Sequence, residues 1–218
     1  MLEVLIHFMT AKITTGLYWF RHDLRLTDNP TFNKLCKQVD RLICVYMQRY
    51  NKELQGSLCE VYTGKPKEIF QHQSVLALDK SLRQKKQFLL ILDSPSHSTL
   101  TDLIQHHKVT HIAADFHPGV YEQNSFTALK NAYPQAKFIS ETGHSLFSSS
   151  DLPFERESLP KSFTPFRKQV EGLTIDLPVE ALSVLPSAIC PIPEMPQPLI
   201  PQENIKGGEI AAVEQLNN

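Results

Sequence analysis

Apolar runs and helix-spaced apolar residues alternate five times in the first two-thirds of this chain, which limits its possible folds more than any other feature. Residues 17–20, 42–46 and 88–92 read as continuous buried strands, with 112–114 and 138–139 as shorter ones. Between them lie helical segments. Val75, Leu78 and Leu82 share one face after Pro66. Leu100, Leu103 and Ile104 share another after a serine-rich cap, and Phe126, Leu129 and Tyr133 a third before Pro134 stops the helix. Strands that are apolar throughout and separated by helices imply a parallel sheet covered on both faces. The chain is therefore predicted to be α/β, a Rossmann-like doubly wound five-stranded parallel sheet over residues 14–145, with residues 1–13 as an N-terminal extension.

After Gly143 the pattern changes. Ten of the fifteen prolines fall within 151–201, and periodicity survives only in a short helix around 163–170. Such a segment buries little apolar surface by itself and is expected to run extended over another surface. Residues 146–204 are accordingly predicted to be a Pro-rich connector with one short helix.

Composition excludes several functions. A net charge of -1 and a pI near 6.8 give the 218-residue chain no general attraction for phosphate backbones, which argues against strong DNA binding by it alone. Cys36, Cys44, Cys59 and Cys190 are widely spaced, which suits the reduced thiols of a cytoplasmic protein and neither a zinc knuckle nor a disulfide framework. The apolar start, residues 1–9, lacks a basic flank and is too short to span a bilayer, so no membrane attachment is expected. His106, His107 and His111 straddle a helix end and a strand start, so no metal site is expected there. Cys44 has no base nearby in sequence, and no catalytic residue is assigned. The first strand is not followed by G-x-G-x-x-G, so ordinary dinucleotide binding in the first turn is unsupported.

That strand instead runs out through Trp19-Phe20-Arg21-His22-Asp23-Leu24-Arg25-Leu26-Thr27-Asp28-Asn29, with Pro30 in the first turn of the next helix. Trp19 and Phe20 read as core, Asp28 as the helix N-cap, and the Arg/Asp set as a network fixing the turn. The spacing W-F-R-x-D-L-R-x-x-D-N resembles the opening motif of the photolyase and cryptochrome family. Two later segments are similar to the same family. Asp151-Leu-Pro-Phe154 and the run from Leu159 to Glu171, containing F-T-P-F-R-K, look like the interdomain connector of its DASH branch. Ile205-Lys-Gly-Gly-Glu-Ile-Ala-Ala-Val-Glu-Gln-Leu216 resembles the G-G-E-x-A-A segment that opens the family's flavin-binding helical domain, so residues 205–218 are expected to be its start.

The resemblance implies the antenna-side α/β domain of a DASH-type cryptochrome or deoxyribodipyrimidine photolyase. In the family this domain helps to hold a light-harvesting pigment, usually methenyltetrahydrofolate. The helical domain binds FAD, and its excited flavin splits pyrimidine dimers in DNA under blue light. This chain is expected not to bind FAD, to meet DNA only through a missing or separately encoded FAD-binding domain, and to be inactive as a photolyase alone. The residues leave open a free-standing small-molecule, nucleotide-binding or docking module with the same fold and no photochemistry.

Ligands of doubly wound sheets sit beyond the carboxyl ends of the strands, where the strand order reverses. Here that is expected between the first and fourth strands, setting Arg21 and His22 opposite Asp115, Phe116, His117 and a helix starting near Tyr121. Tyr121-Glu122-Gln-Asn124 also resembles the family's Y-E-x-N contact to the folate pterin. The acidic residue that comes next in the family is Ser125 here, a weaker and uncharged acceptor, so folate is expected to bind this chain weakly or not at all by itself.

Overall fold

The computed structural model describes residues 13–48, 64–92, 98–147, 150–194 and 206–217. Its centre is β1 (Thr15–Phe20), all six residues of which are buried. Alternate side chains enter two cores: Tyr18 and Phe20 point into one, Leu17 and Trp19 into the other. On one side of β1 lie β2 (Arg41–Met47) and then β3 (Leu89–Leu92), on the other β4 (His111–Ala113) and then β5 (Lys137–Ile139). Every pairing is parallel and the order is β3-β2-β1-β4-β5. The predicted five-stranded doubly wound sheet is present, and its order reverses between β1 and β4 as expected.

The reversal also sorts the helices. α1 (Pro30–Cys36) and α2 (Lys65–Gln84) put Phe32, Leu35, Val75, Leu78 and Leu82 into the core with Tyr18. α3 (Ser98–His106) and α4 (Val120–Ala132) put Leu100, Ile104, Phe126 and Leu129 into the core with Trp19. Right-handed crossovers that run in opposite directions from β1 place their helices on opposite faces.

Two sequence expectations change in detail. The N-cap of α1 is Asn29, whose side chain accepts the Phe32 N–H at 3.0 Å. Asp28 instead stands in the left-handed region, φ 52, too far back to cap. The second change is at the edge of β2. Since β3 begins opposite Cys44, the first residues of β2 would have an open edge, and β6 (Ser187–Ala188) from the proline-rich tail pairs there with Arg41 and Leu42. The surface over which the tail extends is thus the sheet domain itself.

Side chains hold the tail in place. Asn33 Nδ2 donates to Glu180 O at 2.8 Å, Lys85 Nζ to Leu182 O at 2.6 Å, and Gln87 Nε2 to Pro186 O at 2.6 Å. Leu185 is buried in the α1/α2 core. The short helix α5 (Phe163–Val170) occurs where predicted, with only Val170 buried. The last helix, α6 (Glu209–Leu216), lies against α2 through Gly207 and Gly208. A Cβ on Gly207 would come 2.3 Å from Phe70 O, and one on Gly208, at φ +101, 2.4 Å from Ala77 Cβ. Among the described residues, no helix is long and apolar enough to cross a membrane. Cys59 and the residue 1–9 segment lie outside the described residues.

Candidate functional site

The turn after β1 is a structural network before it is anything else. Asp23, buried beneath it, accepts from the Tyr18 hydroxyl at 2.5 Å, Asn29 Nδ2 at 3.1 Å and the Arg21 backbone N–H at 3.2 Å. Burial pushes the Asp23 carboxyl up, against the hydrogen bonds from Tyr18 and Arg21. Arg25 donates to the carbonyls of Asp28 and Gly143, tying this turn to the loop after β5. The motif's charges are therefore mostly consumed in shaping the end of β1.

Arg21 occupies the crevice between β1 and β4. Its guanidinium donates to the Asp115 carbonyl and, at 3.1 Å, to the Glu122 carbonyl, and lies 5.4 Å from the Trp19 ring centre and 5.8 Å from that of Phe126. Its Nε is buried with no hydrogen-bond partner. Asp115 lies just past β4, accepts the Gly143 N–H at 2.9 Å and stands 3.2 Å from His144 Nδ1. His144, in the loop after β5, is a neighbour that the sequence does not signal.

Above Arg21 a second cluster closes the crevice. Glu122, in the first turn of α4, has Oε1 2.9 Å from His22 Nε2 and Oε2 3.6 Å from His117 Nδ1. The rings of His22 and His117 stand 4.5 Å apart, and those of His117 and His144 5.7 Å. Burial alone pushes the Glu122 carboxyl up. The hydrogen bond from His22, its own backbone N–H and the nearby imidazoles outweigh this and hold it below the usual carboxylate range. Burial, then the charge of His22, lower His117, with Glu122 opposing.

Of the nine residues named from sequence, Arg21, His22, Asp115, His117 and Glu122 converge. Phe116 and Tyr121 are 40% and 52% exposed and Asn124 faces solvent. Ser125 is buried, with its hydroxyl turned back to the Tyr121 carbonyl at 2.8 Å. A further shallow cleft, which the sequence does not signal, lies over the ends of β1 and β2 and is lined by Trp19, Arg21, His22, Tyr46, Met47 and Gln71. The cluster has hydrogen-bonding, aromatic and charged groups but no nucleophile paired with a base.

A model of the DNA photolyase family matches residues 16–185, nearly the whole sheet domain and the first part of the tail. The chain belongs to the DNA photolyase family. Within it, the cryptochrome DASH of Vibrio parahaemolyticus is 38% identical over 179 residues, which are 82% of this chain and 40% of that protein. That of Idiomarina loihiensis is 32% identical over 180 residues, 83% of this chain and again 40% of the relative. The chain thus spans about 40% of the length of these curated DASH relatives. The cryptochrome of Synechocystis sp. PCC6803 superposes with a TM-score of 0.79 at 24% identity, covering 95% of this chain and 46% of that one. An archaeal photolyase from Sulfolobus tokodaii, solved with two FAD molecules, has a TM-score of 0.72 at 19% identity over 94% of this chain and 46% of its own. These last two likenesses concern the photolyase α/β fold.

Proposed function

We propose that this chain is the antenna-side α/β domain of a DASH-type cryptochrome or photolyase. It would hold a light-harvesting pigment at the strand ends above β1 and β4, while blue-light flavin chemistry on DNA belongs to a helical FAD-binding domain that pairs with it. The observation that carries this reading is the convergence of Arg21, His22, Asp115, His117 and Glu122 at the strand-order reversal, in a chain of this family. The crystal structure of the Sulfolobus tokodaii photolyase is described as implicating a novel light-harvesting cofactor, which supports light harvesting among proteins of this fold.

The residues fit a folate-type pigment in part. The Glu122 carboxylate accepts hydrogen bonds only, as a pterin amino group and ring N–H require, and Phe116 and Tyr121 keep their rings exposed. Arg21 Nε is a buried donor still lacking an acceptor. Ser125 does not complete the set, since its hydroxyl is committed to Tyr121 O. When bound, the pigment would absorb near-ultraviolet or blue light and pass its excitation to the flavin. The chain's own task is to orient it and to exclude water from one side.

Titration of the purified chain with methenyltetrahydrofolate, followed by its absorption band, tests this. A saturable spectral shift is expected, weakened about tenfold by Glu122→Gln through loss of a charge-assisted hydrogen bond. No saturable binding, or equal binding by the variant, overturns the pigment site. Stoichiometric FAD binding with dimer repair under blue light overturns the division of labour.

A further inference from the structure

His22, His117 and Glu122 come from three separate pieces of chain, the turn after β1, the loop after β4 and the first turn of α4. Their donor atoms nevertheless all lie within 4.8 Å of one another. A tetrahedral ion with bonds of about 2.0–2.1 Å needs its donors about 3.3 Å apart. The Glu122 oxygens already stand 2.9 Å and 3.6 Å from the two imidazole nitrogens, on either side of that value. Two imidazoles and one carboxylate suit zinc-like ions, whereas magnesium and calcium seek oxygen donors.

The geometry points to a transition-metal site formed by His22 Nε2, His117 Nδ1 and the Glu122 carboxylate, of the class that takes zinc(II) or cobalt(II), with an open position for water or an outside ligand. This goes beyond pigment holding, and a titration with metal alone tests it without any pigment.

Two features fit such a site. Gly119 has φ -61, so no left-handed backbone demands glycine there. A Cβ at Gly119 would instead fall 2.2 Å from Glu122 Oε2 and 2.9 Å from His117 Nδ1, and its absence leaves the space in which the two donors meet. The Gly119 N–H also donates to His117 Nδ1 at 3.1 Å, which turns that nitrogen toward Glu122. An entering ion replaces this hydrogen bond. Opposing it are the start of α4 and the Arg21 guanidinium, but the latter is directed at the carbonyls of Asp115 and Glu122. The Glu122 charge, with Asp115 behind His144, offsets them.

The test is a cobalt(II) titration of the chelator-treated 218-residue chain, read in the visible and near-ultraviolet and repeated in competition with zinc(II). Expected is one ion per chain, with visible d–d bands and none of the intense near-ultraviolet absorption of a bound thiolate. Affinity falls about tenfold or more in His117→Ala, Glu122→Gln and Gly119→Ala, since even outer partners of a ligand cost that much. It stays unchanged in His106→Ala/His107→Ala, which removes the neighbouring histidine pair at the end of α3. Zinc(II) raises the thermal midpoint of the parent and of that control but not of Glu122→Gln, whose folding without metal is verified in the same melt. Equal affinity in all variants, thiolate absorption, or no saturable binding overturns the site.

Discussion

Asp28 and Val179, 151 residues apart, bond each other twice: the Asp28 N–H donates to the Val179 carbonyl at 2.6 Å, and Asp28 Oδ1 accepts the Val179 N–H at 3.2 Å. The pair clasps the proline-rich tail to the turn after β1. It also explains why Asp28 sits at φ 52, a conformation that Asp and Asn tolerate better than other side chains. Asp28→Ala should lower unfolding stability by about 1–2 kcal/mol, through the lost bond and the left-handed backbone. Asp28→Asn, which keeps both, should stay close to the parent in denaturant melts, and equal losses in the two variants would contradict this account.

Asp79 gives a second expectation. Fully buried, it accepts the Leu89 N–H at 2.8 Å and Arg83 Nε at 2.7 Å, fixing the start of β3. Asp79→Ala leaves the Leu89 N–H unpaired in the core, whereas Arg83 retains the Pro193 carbonyl at 2.5 Å. A loss of about 2 kcal/mol is expected, the cost of one orphaned buried donor and not of a stranded charge. A loss well below that in urea unfolding would mean that β3 relaxes to find another acceptor.

Three donors converge on Asp23, so the site wants an acceptor on every side. Asp23→Asn turns one oxygen into an N–H₂ group facing a donor, and should cost about 2–3 kcal/mol despite its matching shape. Thermal melts of parent and variant measure it, and a neutral outcome would show that the carboxyl is protonated in the native protein.

Asp40 carries a pH dependence of known sign. Hydrogen bonds from the Thr14 N–H and hydroxyl, both at 2.8 Å, hold its carboxyl below the usual range. A carboxyl lowered in the folded state adds stability above its unfolded value of about 3.9, and the contribution is lost as pH falls through the folded value. The difference in stability between the parent and Asp40→Ala should therefore be present at neutral pH and shrink below about pH 4. Acid titration of both by circular dichroism checks this. A gap that widens toward low pH would reverse the sign.

Deletion of residues 151–218 should leave a cooperative thermal transition at a lower temperature. Among the described residues, the core on the α3/α4 side takes only the partly buried Ile189 from the tail, and the other loses Leu185 with Ala181 and Leu182 at its rim. Loss of the transition would show that the tail is required for folding and not only for stability.

The sheet was legible because its strands are apolar on both faces and its helices carry their apolar residues at helical spacing. Val75, Leu78 and Leu82 are buried as that spacing requires. The two-residue β6 has no such pattern, since it is selected by the edge that β3 leaves open on β2. At the site, β1 and β4 could be placed side by side from topology, which brought Arg21 and Asp115 together. The same placement set His22 opposite His117 and the start of α4, but how close their donor atoms come to Glu122 could not be read, as it depends on the missing Cβ of Gly119 and the path of two loops. Ser125 and Glu122 are neighbours on one helix, yet only the burial of α4 shows that one is sealed in while the other reaches the crevice.

Filling the open edge of β2 has a consequence for behaviour in concentrated solution. Bare strand edges are templates on which another copy of a chain can add, the first step toward aggregation. β6 covers the backbone of Arg41 and Leu42, and Pro186, Pro191 and Pro193, which flank it, have no N–H to offer a newcomer. At this stretch of β2 the proline-rich strap thus leaves no bare backbone on which another copy could add a strand.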